Sequence, residues 1–128
     1  MATIFTKIIN GEIPSYKVAE DEDYYAFLDI NPLAEGHTLL VPKKEVDYIF
    51  DLDSETLAGL MLFAQKIAKK MDAELDCARV AVVVLGLEVP HAHIHLVPIR
   101  NEGDVDFRKP RLKLTPEQFT AVAEKIKL

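Results

Sequence analysis

The sequence predicts an α+β protein built on an antiparallel β-sheet. Three observations support this prediction. Several short apolar segments are typical of strands, one long amphipathic helix divides them, and a second helix closes the chain. Strands and helices do not alternate regularly as they do in a βαβ array. With 128 residues, 49% hydrophobic and 28% charged, we expect one globular domain over residues 1–128.

A short helix and a meander of three strands are predicted first, in TIFTKIINGEIP, SYKVAED, DYYAFLDI and HTLLVP. Apolar residues at helical spacing indicate the helix, and Asn10-Gly11 would end it. An acidic turn separates the first two strands. The composition of NPLAEG is typical of a loop, and Pro42 ends the third strand.

The central helix has the strongest signal. Asp53 can cap its first turn, and Leu52 and Leu57 are placed as a hydrophobic staple across that cap. One apolar stripe follows at helical spacing, formed by Leu57, Leu60, Met61, Ala64, Ile67, Ala68 and Met71. We interpret this stripe as a core-facing surface rather than as part of a cofactor site.

Two strands and a helix are predicted in the second half. RVAVVVL is a continuous β-branched run, which is typical of a strand buried on both faces, and HAHIHLVP predicts the last strand. The terminal helix begins at Thr115 as cap, with Pro116 at its first position and Gln118 completing a capping box. Its apolar face consists of Phe119, Val122, Ala123 and Ile126.

Composition argues against several classes of function. The net charge of −6 would repel a polyanion, so we expect no nucleic-acid polymer as partner. The basic stretch FRKPRLK, which contains Arg108, Lys109, Arg111 and Lys113, is interpreted as a solvated turn. A single cysteine, Cys77, excludes an internal disulfide and a cysteine-rich metal site, and we expect it to be structural.

No segment has the length of a membrane span or the apolar centre of a signal peptide. We therefore expect a cytoplasmic protein without membrane attachment.

Three of the four histidines lie at alternate positions of one segment, VPHAHIHLVP. On a strand, alternate side chains share a face, so His91, His93 and His95 point one way. The intervening residues Ala92 and Ile94 point the other way, into a core. The sequence thus predicts a row of imidazoles on one face of an anchored strand.

Two chemistries could use such a row, and a histidine row without chemistry is the third possibility. Metal ligation is disfavoured, because His91 and His95 lie about 13 Å apart at strand rise and cannot easily reach one ion. No His-Glu-x-x-His pattern is present. A neutral imidazole is a competent nucleophile near pH 7, and flanking imidazoles can fix its tautomer and hydrogen-bond a phosphate.

VPHAHIHLVP resembles the His-x-His-x-His signature of the histidine triad (HIT) superfamily of nucleotide hydrolases and transferases. Residues 3–44 are similar to the N-terminal half of that family in the order and spacing of their motifs. The branch that looks most similar is the Hint-type purine nucleoside phosphoramidases. The resemblance implies the HIT-like fold, a small AMP- or GMP-type nucleotide as substrate and a homodimer. It implies neither a cofactor nor a catalytic metal.

The resemblance assigns a role to every histidine. His93 would attack the α-phosphorus and form a nucleotidyl-histidine, which water then cleaves. His95 would hydrogen-bond the phosphate, His91 would help to orient the nucleophile, and His37 would support the triad. The bond broken would be that of a nucleoside 5′-phosphoramidate or a dinucleotide-like substrate.

The same resemblance implies a nucleotide pocket. Asp29, in FLDINP, matches the acid that holds the ribose hydroxyls. The positions that match the lining of the base pocket are Ile4, Phe5, Ile8, Phe27, Ile30 and Leu39.

Three features depart from the family pattern. Gly86 is kept before the triad, but Leu87 replaces a glutamine and Glu88 replaces a small hydroxyl residue, so polar phosphate contacts are lost. Thr3 and Thr6 stand where many relatives have zinc-binding cysteines, and hydroxyls are poor zinc ligands, so we expect no structural zinc. The C-terminal extension, about residues 99–128, departs most and could shape the leaving-group side of the pocket.

Two other hypotheses stay open, and the substitutions at Leu87 and Glu88 motivate the first of them. One is a purine-nucleotide-binding module with weak or no catalysis. The other is a metalloprotein that uses His91, His93 or both as ligands.

Overall fold

A computed structural model describes residues 2–128, and in this range five strands form one antiparallel sheet. The regular elements are α1 (Ile4–Ile9), β1 (Lys17–Glu20), β2 (Tyr24–Leu28), β3 (Thr38–Pro42), α2 (Ser54–Glu74), β4 (Arg79–Val83), β5 (Ile94–Ile99) and α3 (Pro116–Ile126). Two short 3-10 helices lie at Ile49–Asp51 and Glu102–Val105. The strand order is β1-β2-β3-β5-β4. The predicted α+β class and antiparallel sheet are confirmed.

The sheet register determines which side chains meet on each face. Phe27 pairs with Leu39, and Leu39 pairs with His95. Paired residues of an antiparallel sheet project to the same side, so these three form a row on one face. The neighbouring row, Ala26, Leu40 and Ile94, faces the other way.

The two faces of the sheet carry two apolar clusters. The larger lies between the sheet and helices α2 and α3, and it includes Leu40, Ile94, Leu60 and Ile126. The smaller lies on the opposite face under α1, and its members are Phe5, Ile8, Tyr25, Phe27, Leu39 and Val41. The histidine face of β5 therefore belongs to the α1 side.

The predicted helix starts are confirmed. Asp53 accepts a hydrogen bond from the Thr56 amide at 3.0 Å. At α3, the Thr115 hydroxyl accepts from the Gln118 amide at 3.2 Å, and the Gln118 carbonyl oxygen accepts from the Thr115 amide at 2.8 Å. Each cap satisfies amides that the first turn leaves without helical partners.

The predicted core face of α2 was wrong at one position. Met61 is 48% exposed, whereas Phe63, which was not predicted, is buried. The buried stripe runs through Leu60, Phe63, Ala64, Ile67 and Met71. Helical spacing alone is compatible with either Met61 or Phe63 in the core. The position of the sheet decides that Phe63 is the buried one.

The prediction that RVAVVVL is buried on both faces was also wrong. β4 is an edge strand that pairs with β5 alone, and Val82 is 49% exposed. A β-branched run is equally compatible with a central strand and with an edge whose outer surface is apolar. The last strand is also shorter than predicted, because β5 begins at Ile94 and the segment from His91 to His93 precedes it.

No helix within residues 2–128 is both long and apolar enough to cross a membrane.

Candidate active site

An open cavity of about 440 Å³ lies between α1, the histidine face of the sheet and the segment that follows β5. Apolar and polar side chains line it together. Phe5, Phe27 and Leu39 are among the apolar ones, and Asp29, His93 and His95 are among the polar ones.

The three triad histidines are all buried, and two of them line the cavity. His91, His93 and His95 are 0%, 6% and 8% exposed. The rings of His93 and His95 lie 5.0 Å apart, centroid to centroid, whereas His91 is not among the lining residues. Ala92 and Ile94 lie in the larger core cluster, so the predicted alternation of histidine and core residues is confirmed.

A backbone carbonyl determines the tautomer of His93. Its Nδ1 lies 2.7 Å from the carbonyl oxygen of His91. A carbonyl can only accept, so Nδ1–H donates and Nε2 of the neutral ring keeps its lone pair. Burial lowers the pKa of His93 below its usual value, so the ring is neutral at pH 7. His93 therefore presents an unprotonated nitrogen on a residue that lines the cavity.

A second chain of hydrogen bonds determines the tautomer of His95. The Leu33 amide donates to His37 Nδ1 at 3.0 Å, so the proton of neutral His37 is on Nε2. That nitrogen lies 3.0 Å from His95 Nδ1 and donates to it. His95 consequently carries its proton on Nε2. His95 is thus a hydrogen-bond donor beside the unprotonated nitrogen of His93.

Burial keeps both of these rings neutral. Burial, with the neighbouring His95 and Arg111, lowers the pKa of His37 to about 3. Burial, with the neighbouring His93, lowers the pKa of His95 to about 4. The donor and acceptor pattern described above therefore persists across the neutral pH range.

Both ring nitrogens of His91 make hydrogen bonds. Its Nε2 lies 2.7 Å from the Pro42 carbonyl oxygen, and its Nδ1 lies 2.8 Å from the Thr3 hydroxyl. In the neutral ring, Nε2–H donates to the carbonyl and the hydroxyl donates to Nδ1. The Thr3 amide and the Thr6 hydroxyl donate to the same Glu45 oxygen, at 2.8 Å and 2.7 Å. The backbone carbonyl of His91 accepts the hydrogen bond from His93 described above.

Asp29 lies in the cavity wall at the end of β2. Its Oδ1 accepts from the Asn31 amide at 2.8 Å. Its Oδ2 lies 3.6 Å from His37 Nε2, which is too long for a strong hydrogen bond. Burial raises the pKa of Asp29, and the Asn31 amide and the positive charge of Arg111 oppose that shift.

The residues predicted to form a base pocket are brought together. All six line the cavity, and they are Ile4, Phe5, Ile8, Phe27, Ile30 and Leu39. Ile4 and Ile30 differ from the rest in being 49% and 66% exposed, so they lie at the rim.

The loop before the triad contributes both of its unusual residues to the cavity wall. Leu87 is 92% exposed, and Glu88 lines the cavity as an exposed carboxylate. The Gly86 backbone has φ +73°, a conformation that glycine adopts without strain. Leu87 and Glu88 offer no side-chain hydrogen-bond donor to a phosphate.

Sequence reasoning missed several residues of the cavity wall, and two of them lie in the C-terminal segment beside the histidines. Phe107 and Arg111 line the cavity, so the interpretation of FRKPRLK as a solvated turn was wrong for them. The ring of Phe107 lies 4.9 Å from that of His95 and 6.0 Å from that of His37. The sequence offered two signals, which were the expectation that the C-terminal extension shapes the pocket and the aromatic residue inside a basic stretch. Cys77 does not line the cavity.

One group of possible metal ligands occurs among residues 2–128. The ligand atoms of Asp29, His37 and His95 lie within 4.8 Å of one another. The set differs from the His91 and His93 ligands considered from sequence. His37 Nε2 and His95 Nδ1 already share a hydrogen bond, so an ion bound there would compete with that bond.

A family model for the HIT domain matches residues 10–102 of the chain. The chain belongs to the HIT family. Its structure also resembles a solved HIT-like protein of Bartonella henselae, which is described as involved in cell-cycle regulation and as containing an unknown ligand. The two share a TM-score of 0.84 and 35% identity, over 98% of this chain and 93% of the other. The predicted HIT-like fold is therefore confirmed.

Two HIT relatives in yeasts have names that specify an activity. Adenosine 5′-monophosphoramidase HNT1 of Saccharomyces cerevisiae is 44% identical over 104 residues, which cover 79% of this chain and 65% of the relative. The chain thus matches slightly less than two thirds of that protein. Adenosine 5′-monophosphoramidase hnt1 of Schizosaccharomyces pombe is 33% identical over 132 residues, covering 98% of this chain and 96% of the relative.

Proposed function

We propose that this HIT protein is a nucleotide hydrolase or transferase that cleaves a nucleoside 5′-phosphoramidate, or a related nucleotidyl bond, through His93. One observation carries the proposal. The hydrogen bond from His93 Nδ1 to the His91 carbonyl leaves Nε2 unprotonated on a ring that lines the cavity. The names of the two yeast relatives support the class of bond.

The proposed reaction has two displacements at phosphorus. His93 Nε2 attacks the α-phosphorus, and the bond from phosphorus to the leaving nitrogen breaks. The leaving nitrogen takes a proton from solvent and departs as an amine. Water then attacks the nucleotidyl-histidine and gives up a proton to solvent. The nucleoside monophosphate leaves, and His93 returns to its starting state.

The neighbouring histidines stabilise and position this reaction. His95 Nε2–H would donate to a phosphoryl oxygen as negative charge builds on it. His37 is a positioning residue, because its Nε2–H holds the tautomer that leaves His95 a donor. His91 is a positioning residue through its carbonyl.

The cavity offers complementary surfaces to a nucleoside. The apolar lining, with Phe5, Phe27 and Leu39, suits a planar purine such as that of AMP or GMP. Asp29 lines the same cavity and would be a hydrogen-bond acceptor for ribose hydroxyls.

A turnover assay tests this function against the two other hypotheses. The substrate is adenosine 5′-phosphoramidate carrying a fluorogenic amine, with wild type and His93→Ala, each with and without a chelator. We expect release by wild type that the chelator does not change and that His93→Ala abolishes, while AMP still binds the variant. AMP binding without release would support the binding module. Release lost to the chelator would support a metalloprotein.

We also propose that the chain forms a homodimer through β4 and α2. The edge strand β4 exposes Val82, and α2 exposes Met61 and Leu62 beside it. An apolar strand edge is a favourable surface for pairing with another strand. Two-fold pairing of β4 with its copy would extend the sheet and cover these side chains.

A further inference from the structure

The segment that follows β5 closes one side of the cavity and is tied to the loop after β2. The Phe107 ring contacts that of His95 at 4.9 Å, centroid to centroid. The Leu112 amide donates to the Pro32 carbonyl at 2.9 Å. Arg111, between them, lines the same cavity as His93.

Arg111 is held by neutral groups. Its Nη1 donates to the Asn31 carbonyl and its Nη2 to the Phe107 carbonyl. Its guanidinium carbon lies 5.2 Å from the centroid of the Phe107 ring, a cation–π distance. Within residues 2–128, no carboxylate lies within the 4.0 Å ion-pair distance of Arg111. Arg111 is thus held by two carbonyls and an aromatic ring, and it makes no direct ion pair with a carboxylate.

Arg108 shows the contrast within the same segment. Its guanidinium pairs with Asp106 at 3.1 Å, and its side chain is 92% exposed. Arg108 does not line the cavity. Two arginines three positions apart therefore differ in both pairing and location, which makes Arg108 a matched control.

The electrostatics of the cavity make Arg111 distinctive. Among the described lining residues it is the one Lys or Arg, whereas Asp29 and Glu88 contribute negative charge. His93 and His95 are neutral. The two carbonyls use two of the five guanidinium N–H donors, so three remain. A planar guanidinium with remaining donors matches the oxygens of phosphate or carboxylate.

We propose that Arg111 binds an anionic oxygen group of the substrate, either the α-phosphoryl group or a phosphate or carboxylate on the leaving group. This proposal rests on the proposed function, because it adds a binding residue to that site. Arg111 would supply a phosphate contact from the C-terminal segment where Leu87 and Glu88 supply none. Substrates with an acidic group at this position would be preferred.

Equilibrium binding tests the proposal without requiring turnover. Adenosine, AMP and ADP are titrated into wild type, Arg111→Gln, Arg111→Lys and Arg108→Gln. We expect Arg111→Gln to weaken binding of at least one nucleotide by about tenfold or more, the effect of losing a charge-assisted hydrogen bond. Adenosine binding should not change. Arg111→Lys should retain part of the affinity, and Arg108→Gln all of it.

The ligand series separates the two sources of anion. Equal weakening of AMP and ADP would place Arg111 on the α-phosphoryl group. Weakening of ADP alone would place it on the leaving-group side. Unchanged affinity for both nucleotides, or equal weakening of adenosine as well, would overturn the proposal. If wild type binds nucleotides with this Arg111 dependence but releases no amine, the proposed function fails and the Arg111 site stands.

Discussion

Nδ1 of His93 lies 2.7 Å from the carbonyl oxygen of His91, two residues earlier in the same extended segment. Because the two histidines are two positions apart, the backbone carbonyl of His91 can set the tautomer of the His93 ring. The side chain of His91 is fixed by Thr3 and Pro42, so its carbonyl has a fixed position. In the proposed reaction, that carbonyl determines which nitrogen of His93 is free to attack the phosphorus.

Thr3→Val should slow turnover without much effect on substrate binding. The variant removes the hydroxyl that donates to His91 Nδ1, a bond worth about 1 kcal/mol. Looser positioning of His91 would lower kcat by about fivefold while KM changes little. Steady-state kinetics measure both constants.

Two controls accompany this variant. Thr3→Ser keeps the hydroxyl, including its bond to the Thr6 amide at the start of α1, and should restore kcat. Thr6→Val removes the bonds of the Thr6 hydroxyl to Glu45 and to the Thr3 hydroxyl, but none to His91. Equal losses in Thr3→Val and Thr6→Val would argue for a general effect on α1 instead.

Glu88→Gln should improve the use of nucleotide substrates. Glu88 is an exposed carboxylate in the cavity wall, and its charge repels an incoming phosphate. Removing it should lower KM for a phosphoramidate a few-fold, about the effect of one partly screened charge. The gain should shrink at high salt. An increase in KM, or a loss of kcat, would instead indicate that Glu88 binds the leaving group or transfers a proton.

The folded protein should lose stability as the pH falls below about 6.5, the usual pKa of histidine. His37 and His95 have folded-state pKa values lowered to about 3 and about 4. Between those values and 6.5, the unfolded chain binds protons that the folded chain does not. Each of these two histidines should therefore lower the free energy of unfolding by about 1.4 kcal/mol for every unit that the pH falls within this window.

Urea unfolding between pH 4.5 and 7.5 measures this slope. In the His37→Gln variant, the free energy of unfolding should depend less steeply on pH, and the difference should equal the contribution of one histidine. A slope identical to that of wild type would show that His37 is not buried as a neutral ring. Because His93 also has a lowered pKa, activity should persist somewhat below pH 6.5 rather than decline from it.

Val82→Lys should convert a dimer into a monomer. The substitution places a charge on the exposed edge strand β4, where Val82 is 49% exposed in the single chain. Charged edge residues disfavour strand pairing. Light scattering coupled to size exclusion measures the mass. Glu117→Lys, an exposed position on α3, is the control. A wild-type monomer, or a dimer unaffected by Val82→Lys, would contradict the proposed interface.

Local signals in the sequence predicted much of the fold. The caps at Asp53 and Thr115 were predictable because a cap and its partner lie within one helical turn. The alternation of His91, His93 and His95 with core residues was predictable because a strand has period two. The base-pocket residues, in contrast, came from resemblance, since their pattern alone indicated only core.

The errors share a physical cause, which is dependence on distant contacts. Nothing local distinguishes an edge strand such as β4 from a central one, because strand order is set by the whole sheet. Arg111 is held at the cavity by its hydrogen bond to the carbonyl of Asn31, which lies 80 positions earlier in the chain. Phe107 joins the site by contact with His37 and His95. No local sequence pattern predicts either of these contacts.

The stereochemical course at phosphorus tests the central claim most directly. A nucleoside phosphoramidate made chiral at the α-phosphorus by sulfur substitution is hydrolysed in isotopically labelled water. Two in-line displacements, through His93 and then through water, predict retention of configuration. A single direct attack by water predicts inversion. Retention would support the nucleotidyl-histidine route through His93, and inversion would contradict it.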